Sequence, residues 1–175
     1  GDFRELKVSF GFMLPMWVGT GLSTIELAIA KGDFAQAKAH ADDLLGLLRG
    51  GNIRFWLPDA LELKARALRA LGEAGPARKV LEEALAEAEA LGSRRILWRT
   101  LADLSEMERE AGHPAEADAL AKRAAQVVSY IAEHISAPDL RQSFLSQPSV
   151  ARVLAGAPGV RTGTAASSAK KEQAT

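Results

Sequence analysis

Leu71-Gly72-Glu73-Ala74-Gly75-Pro76-Ala77-Arg78 has two relatives in the same chain. They are Lys31-Gly32-Asp33-Phe34-Ala35-Gln36-Ala37-Lys38 and Ala111-Gly112-His113-Pro114-Ala115-Glu116-Ala117-Asp118. The leading glycines stand 40 residues apart both times. A small residue follows three positions after each glycine (Ala35, Gly75, Ala115), and an alanine five positions after it (Ala37, Ala77, Ala117). A fixed period in this range marks stacked repeats, where one helix pair recurs and no single pair buries its apolar stripe alone.

Each glycine separates two runs with helical spacing. The first run extends from about Met16 to Lys31 and carries Trp17, Ile25, Ala28 and Ile29. Pro15 stands just inside its start, where a missing N–H is harmless, and Gly32 ends it. Asp33 is placed to cap the next helix, Phe34 to Arg49, whose Ala37, Ala41, Leu44, Leu45 and Leu48 share a face. Gly50-Gly51 is read as its stop. The second unit opens near Ile53 with Pro58 in its first turn and Leu61, Ala65, Ala67 and Leu68 on its apolar face. Its partner helix starts at Pro76 and carries Ala77, Leu81, Ala84, Leu85 and Ala88 to Gly92. Ser93 is a cap candidate for the third unit, with Ile96, Leu97, Leu101, Leu104 and Met107. Pro114 then opens a helix with Ala117, Leu120, Ala121, Ala124, Val128 and Ile131. The alanine after each turn lets two helix backbones approach closely.

The expected organisation is a helical repeat domain over 16–155, with units at about 16–51, 52–92 and 93–135 and a cap over 136–155. In that cap Phe144, Leu145, Val150 and Leu154 are suited to cover the end of the last pair. Residues 1–15 are the least regular. Phe3, Leu6, Val8, Phe10 and Phe12 alternate with other residues, as in a short strand; the worn end of a preceding repeat is the favoured alternative. An exposed apolar N-terminal face (Phe3, Phe10, Phe12, Met13, Trp17) would promote self-association, so the oligomeric state stays open. From 156 to 175 the composition turns to Gly, Ala, Ser, Thr and Lys, and a disordered tail is expected. The chain opens on Gly1 and is read as a fragment of a longer protein.

With 22 basic and 22 acidic residues the net charge is zero. That argues against a general binder of nucleic acid or anionic membrane, which needs a basic excess. There is no cysteine, so disulfides, thiolate metal sites and cysteine nucleophiles are excluded. The longest apolar run, Phe10 to Val18, is interrupted by Pro15 and falls short of the ~18 residues of a membrane helix. A cytoplasmic setting is expected.

Chemical motifs are sparse. Gly19-Thr20-Gly21 imitates half of a dinucleotide fingerprint, but Thr24 stands where the third glycine belongs and no βαβ pattern follows. Two small residues at a close helix crossing explain it better. His40, His113 and His134 fall in different units and make no ligand spacing. Asp42-Asp43, Glu82-Glu83 and the glutamates of 106–110 read as solvated helix faces. Ser167-Ser168-Ala169-Lys170 matches Ser-x-x-Lys, but in a tail that holds no fixed geometry. No catalytic, cofactor-binding or metal residue is assigned, and the chain is not expected to be an enzyme.

The glycine, the alanine five residues on and apolar residues at +9 and +12 (Ala41/Leu44, Leu81/Ala84, Ala121/Ala124) resemble the tetratricopeptide repeat, lengthened by six residues per unit. Pro138-Asp139-Leu140-Arg141-Gln142-Ser143-Phe144-Leu145-Ser146-Gln147-Pro148-Ser149-Val150 is similar to the closing segment of large bacterial signalling proteins. Those proteins join a class III nucleotide cyclase and an ATPase domain to a repeat tail. Phe55-Trp56-Leu57-Pro58 and Gly92-Ser93-Arg94-Arg95-Ile96-Leu97-Trp98 resemble stretches of the same tails, so the likeness covers roughly 12–154.

The resemblance implies an all-α fold, a right-handed superhelix of antiparallel helix pairs, with the first helix of each pair lining a concave surface. Carried over by the glycine alignment, that register places Glu26, Asp59, Glu62, Arg66, Arg69, Arg99, Glu106 and Arg109 on the groove. The implied function is a scaffold that binds a protein or peptide, including domains of its own parent chain. The alternatives are a C-terminal piece of a cyclase or ATPase whose catalytic domains are absent here, or of a repeat-containing transcriptional regulator. Four groove arginines suit an acidic peptide, because a guanidinium bonds a carboxylate bidentately. Salt bridging among neighbouring side chains is the competing reading.

Overall fold

Gly72 takes φ +80, and Gly32 and Gly112 take +78 and +82, a left-handed conformation that favours a residue without Cβ. The bonds around Gly72 form a Schellman motif: Leu71 N–H donates to Ala67 C=O (3.0 Å), Gly72 N–H to Arg69 C=O (3.0 Å) and Glu73 N–H to Leu68 C=O (2.9 Å). Gly32 and Gly112 repeat the pattern through Asp33 to Ala28 and His113 to Glu108, both 2.9 Å. The three related stretches therefore fold as one kind of turn.

The computed structural model describes the backbone of residues 3–157 and the side chains of 16–157. Among the described residues the fold is all-α, without strands. The helices are α1 (Phe3–Ala30), α2 (Phe34–Gly50), α3 (Leu57–Ala70), α4 (Ala74–Leu91), α5 (Arg94–Glu110), α6 (Pro114–Glu133), α7 (Pro138–Leu145) and α8 (Pro148–Gly156). A single 3-10 turn, Arg54–Trp56, leads into α3.

Several boundaries differ from the sequence reading. The strand-like or irregular start is a helix: α1 runs unbroken from Phe3, with Pro15 in its interior rather than at its first turn. Phe3, Leu6, Phe10, Met13 and Trp17 also recur at alternating three- and four-residue steps, and this helical period continues into the rest of α1. Pro15 has no N–H to offer the Gly11 carbonyl, a loss the length of the helix tolerates. The stop after α2 is not made by Gly50-Gly51. Gly50 is helical and Gly51 has φ −86, while Asn52 takes the left-handed position at φ +53. Ile53 N–H then closes on Leu48 C=O at 2.8 Å, as Glu73 does on Leu68.

Helix α4 starts at Ala74, two residues before Pro76, because first-turn N–H groups lack helical acceptors and a proline there loses nothing. Asp33 does cap α2, accepting from Gln36 N–H at 3.2 Å, whereas Ser93 occupies the cap position of α5 without a side-chain bond. The tail expected over 156–175 lies outside the described residues from 158 onward. Before that, Gly156 ends α8 and Ala157 is buried.

Each helix packs on the next, and α3 also packs on both α1 and α5. Val18, Ile25 and Ala28 of α1 meet Ala41, Leu44, Leu45 and Leu48 of α2 and Leu57, Ala60 and Leu61 of α3. Ala65 and Leu68 continue to Ala77, Leu81, Leu104 and Met107. Ala37, Ala77 and Ala117 are wholly buried, which is what allows the paired backbones to close on one another. At Gly21 a Cβ would meet Leu44 Cδ1 at 3.3 Å, while at Gly19 it would meet nothing within 4 Å, so only Gly21 lies at a tight crossing. At the far end Val150, Phe144, Leu145 and Leu154 pack with Trp98 and Val128. Arginine–glutamate pairs join alternate helices: Arg49–Glu83 at 2.6 Å links α2 to α4, and Arg123–Glu89 at 2.6 Å links α6 to α4. Among the described residues no helix is long and apolar enough to cross a membrane.

Candidate binding face on α3 and α5

Steps of three and four residues align Asp59, Glu62, Arg66 and Arg69 along α3 and Arg95, Arg99, Asp103, Glu106 and Glu110 along α5. Because α3 packs against α5, the two rows meet. At one end Arg95 pairs with Asp59, which is only 8% exposed, at 2.6 Å. At the other, Arg69 reaches Asp103 (3.9 Å), Glu106 (3.3 Å) and Glu110 (3.0 Å). These contacts tie successive helix pairs together, anchoring Arg69 to three carboxylates of α5 and Arg95 to Asp59 of α3.

The middle of the face is different. Glu62 is 5% exposed, and its nearest cation is Arg66 at 3.9 Å. Burial, reinforced by the nearby Asp103 carboxylate, pushes Glu62 up to about 7, with Arg66 and Arg99 acting in the opposite direction. Asp103 is pushed up to about 6, again first by burial, with Arg69 the main opposing charge. Arg66 is exposed and has only the long approach to Glu62. Arg99 is half-buried with its guanidinium carbon 5.5 Å from the Trp98 ring centroid, and among the described residues it forms no ion pair. Two guanidinium groups with spare donors thus flank two carboxylates that burial disfavours in their charged form.

The expected groove residues therefore separate. Asp59, Glu62, Arg66, Arg69, Arg99 and Glu106 come together on α3 and α5. Arg109 is exposed and turns to Asp118 on α6 at 3.5 Å, and Glu26 is exposed on α1 and joins none of these pairs. The sequence reading left Arg95 and Asp103 off the groove, and took Glu110 as part of a solvated helix face. Their signal was present: Arg95 and Asp103 lie four residues either side of Arg99, and Glu110 four beyond Glu106.

A third buried carboxylate, away from this face, has a structural task. Glu108, 4% exposed, contacts Arg78 of α4 and lies 2.8 Å from His113 Nδ1 in the Gly112 turn. Among the described residues no three potential metal ligands gather. Comparison with protein-family models, with curated proteins and with solved structures finds no match to this chain.

Proposed function

We propose that this chain is a non-catalytic module that recognises protein, a tetratricopeptide-like superhelix whose concave side is the α3/α5 face. We further place it as the repeat tail of a bacterial signalling protein, with a peptide segment or a domain of the parent chain as its partner. The repeated turn and the packing of α3 on both α1 and α5 support the repeat reading. The observation that carries the binding reading is the difference among the arginines. Arg69 and Arg95 are held by internal carboxylates, but Arg66 and Arg99 keep donors free on the same face. Guanidinium groups so placed suit a partner that brings its own carboxylates.

Selection from a displayed peptide library against the folded chain tests this. Enriched peptides should carry Asp or Glu and should lose at least about tenfold in affinity, about 1.4 kcal/mol, for an Arg66→Glu/Arg99→Glu variant with unchanged helicity. Peptides that bind that variant as well as the parent would contradict the assignment.

A further inference from the structure

Glu62 is enclosed, and its nearest cation, Arg66, stands at 3.9 Å, beyond hydrogen-bond reach. Among the described residues, however, no buried side-chain oxygen is both sealed from water and without a partner. The small exposed part of Glu62 therefore includes its carboxyl group, which opens on the α3/α5 face. Asp103, on the facing helix, has Arg69 at 3.9 Å, and Arg69 lies closer to Glu106 (3.3 Å) and Glu110 (3.0 Å). Glu62 and Asp103 thus form a pair of weakly partnered carboxylates. The same two guanidinium groups, Arg66 and Arg99, act on both of them.

The other charges around this pair are engaged with one another. Asp59 is held by Arg95 and Glu106 by Arg69. Where α1 packs on α3 it carries one charged residue among its described side chains, the exposed Glu26. From α2, Asp42 is held by Lys38 and by Lys64 of α3. On the helices packed against α5, Arg78 of α4 turns to Glu82 and Glu108, and Asp118 of α6 to Arg109. Arg66 and Arg99 are left as the cations that favour ionised Glu62 and Asp103 and that a partner can reach.

An acidic partner on these two arginines changes the pair's surroundings twice, with one sign. It adds carboxylate charge beside them, and it engages the guanidinium groups that favour their ionised forms. Both changes disfavour a charged Glu62 or Asp103, and a proton from solvent on a carboxylate oxygen relieves them. The carboxyl O–H so formed is a donor that a partner's carboxylate or backbone carbonyl can accept.

We propose that the α3/α5 face takes up a proton as it binds, so that an acidic partner is held more tightly at mildly acidic than at mildly alkaline pH. This rests on the reading of that face as the surface for acidic peptides. The sign follows from linkage. In the free chain burial sets Glu62 at about 7 and Asp103 at about 6, and binding raises both. Affinity is greatest below about pH 6, where the free chain is already protonated, and falls as pH rises toward the values of the bound state.

An acidic, histidine-free peptide from the displayed library, titrated calorimetrically into the full chain at pH 6 and 8.5, is the test. Its own Asp and Glu ionise near 4 and stay charged throughout. Affinity should fall about tenfold or more between the two pH values, as a rise of about one unit at each group requires. At pH 7.5, heats in two buffers of different ionisation enthalpy should show uptake of roughly 0.5–1 proton. Glu62→Gln/Asp103→Asn should bind at pH 8.5 as tightly as the parent chain does at pH 6, without uptake and with unchanged far-ultraviolet dichroism. Glu62→Gln alone should remove roughly half of the logarithmic change. Equal affinity at both pH values without uptake, or tighter binding at pH 8.5, overturns the coupling and leaves the binding face standing. So does a pH dependence that survives in the double variant. Acidic peptides that bind at neither pH overturn the binding face and the coupling together.

Discussion

Replacing Glu62 by glutamine should stabilise the fold at pH 8 and leave it nearly unchanged at pH 4. The side chain is almost fully enclosed and its nearest cation is 3.9 Å away, so folding is disfavoured whenever the group must be charged. The rise from 4.5 to about 7 corresponds to about 3 kcal/mol of preference for the protonated form in the folded state. The sign follows from proton linkage. Below about pH 4.5 the group is protonated both folded and unfolded, and no penalty exists. Between about 4.5 and 7 the unfolded chain ionises first, so stability falls as pH rises, and above about 7 the full penalty applies. Glutamine keeps the shape and removes the charge. Urea unfolding of both chains at the two pH values should show a gain of about 2–3 kcal/mol at pH 8, with equal m-values, and little at pH 4. Equal gains at both pH values would refute burial of a charge as the cause. A loss at pH 8 would show that Arg66 and Arg99 compensate an ionised Glu62 in full.

Gly72→Ala, at φ +80, should cost about 1–2 kcal/mol, while Gly75→Ala, in the first turn of α4 with open space at its Cβ, should gain about 0.5–1 kcal/mol. Thermal unfolding that moves both midpoints the same way would contradict the assignment of these two glycines. Ala117→Leu should overpack the α5–α6 contact by about 1–3 kcal/mol, read as a lower urea midpoint. Glu108→Ala removes the carboxylate that Arg78 and His113 share. It should destabilise by about 1–3 kcal/mol and speed amide exchange at the start of α6, whereas unchanged exchange there would exclude its role at the turn.

The turns were readable in advance because each depends on one backbone requirement, a left-handed residue after the helix, and one packing requirement, a methyl-sized side chain five positions on. Asn52 escaped that reading, since Gly50-Gly51 beside it offered a stronger local signal and only the hydrogen bonds of the turn distinguish them. The start of α1 escaped for another reason. Leu6, Val8, Phe10 and Phe12 fit a strand period while Phe3, Leu6, Phe10 and Met13 fit a helix period, and continuity with a long helix decides between them. The register carried over from the repeat resemblance included six of the face residues, but a register does not tell which carboxylate a long arginine will reach. Arg69 spans three acidic residues of α5, and Arg109 leaves the face for Asp118. Nor does sequence spacing reveal that Glu62 is enclosed, because that depends on α5 closing over α3.

Amide hydrogen exchange of the folded chain, with and without an acidic peptide obtained by selection, tests the binding face most directly. The account predicts slowed exchange confined to α3 and α5, centred on the turns that carry Glu62, Arg66, Arg99 and Asp103, and its absence in the Arg66→Glu/Arg99→Glu variant. Protection that falls instead on α2, α4 and α6, with α3 and α5 unchanged, would contradict it.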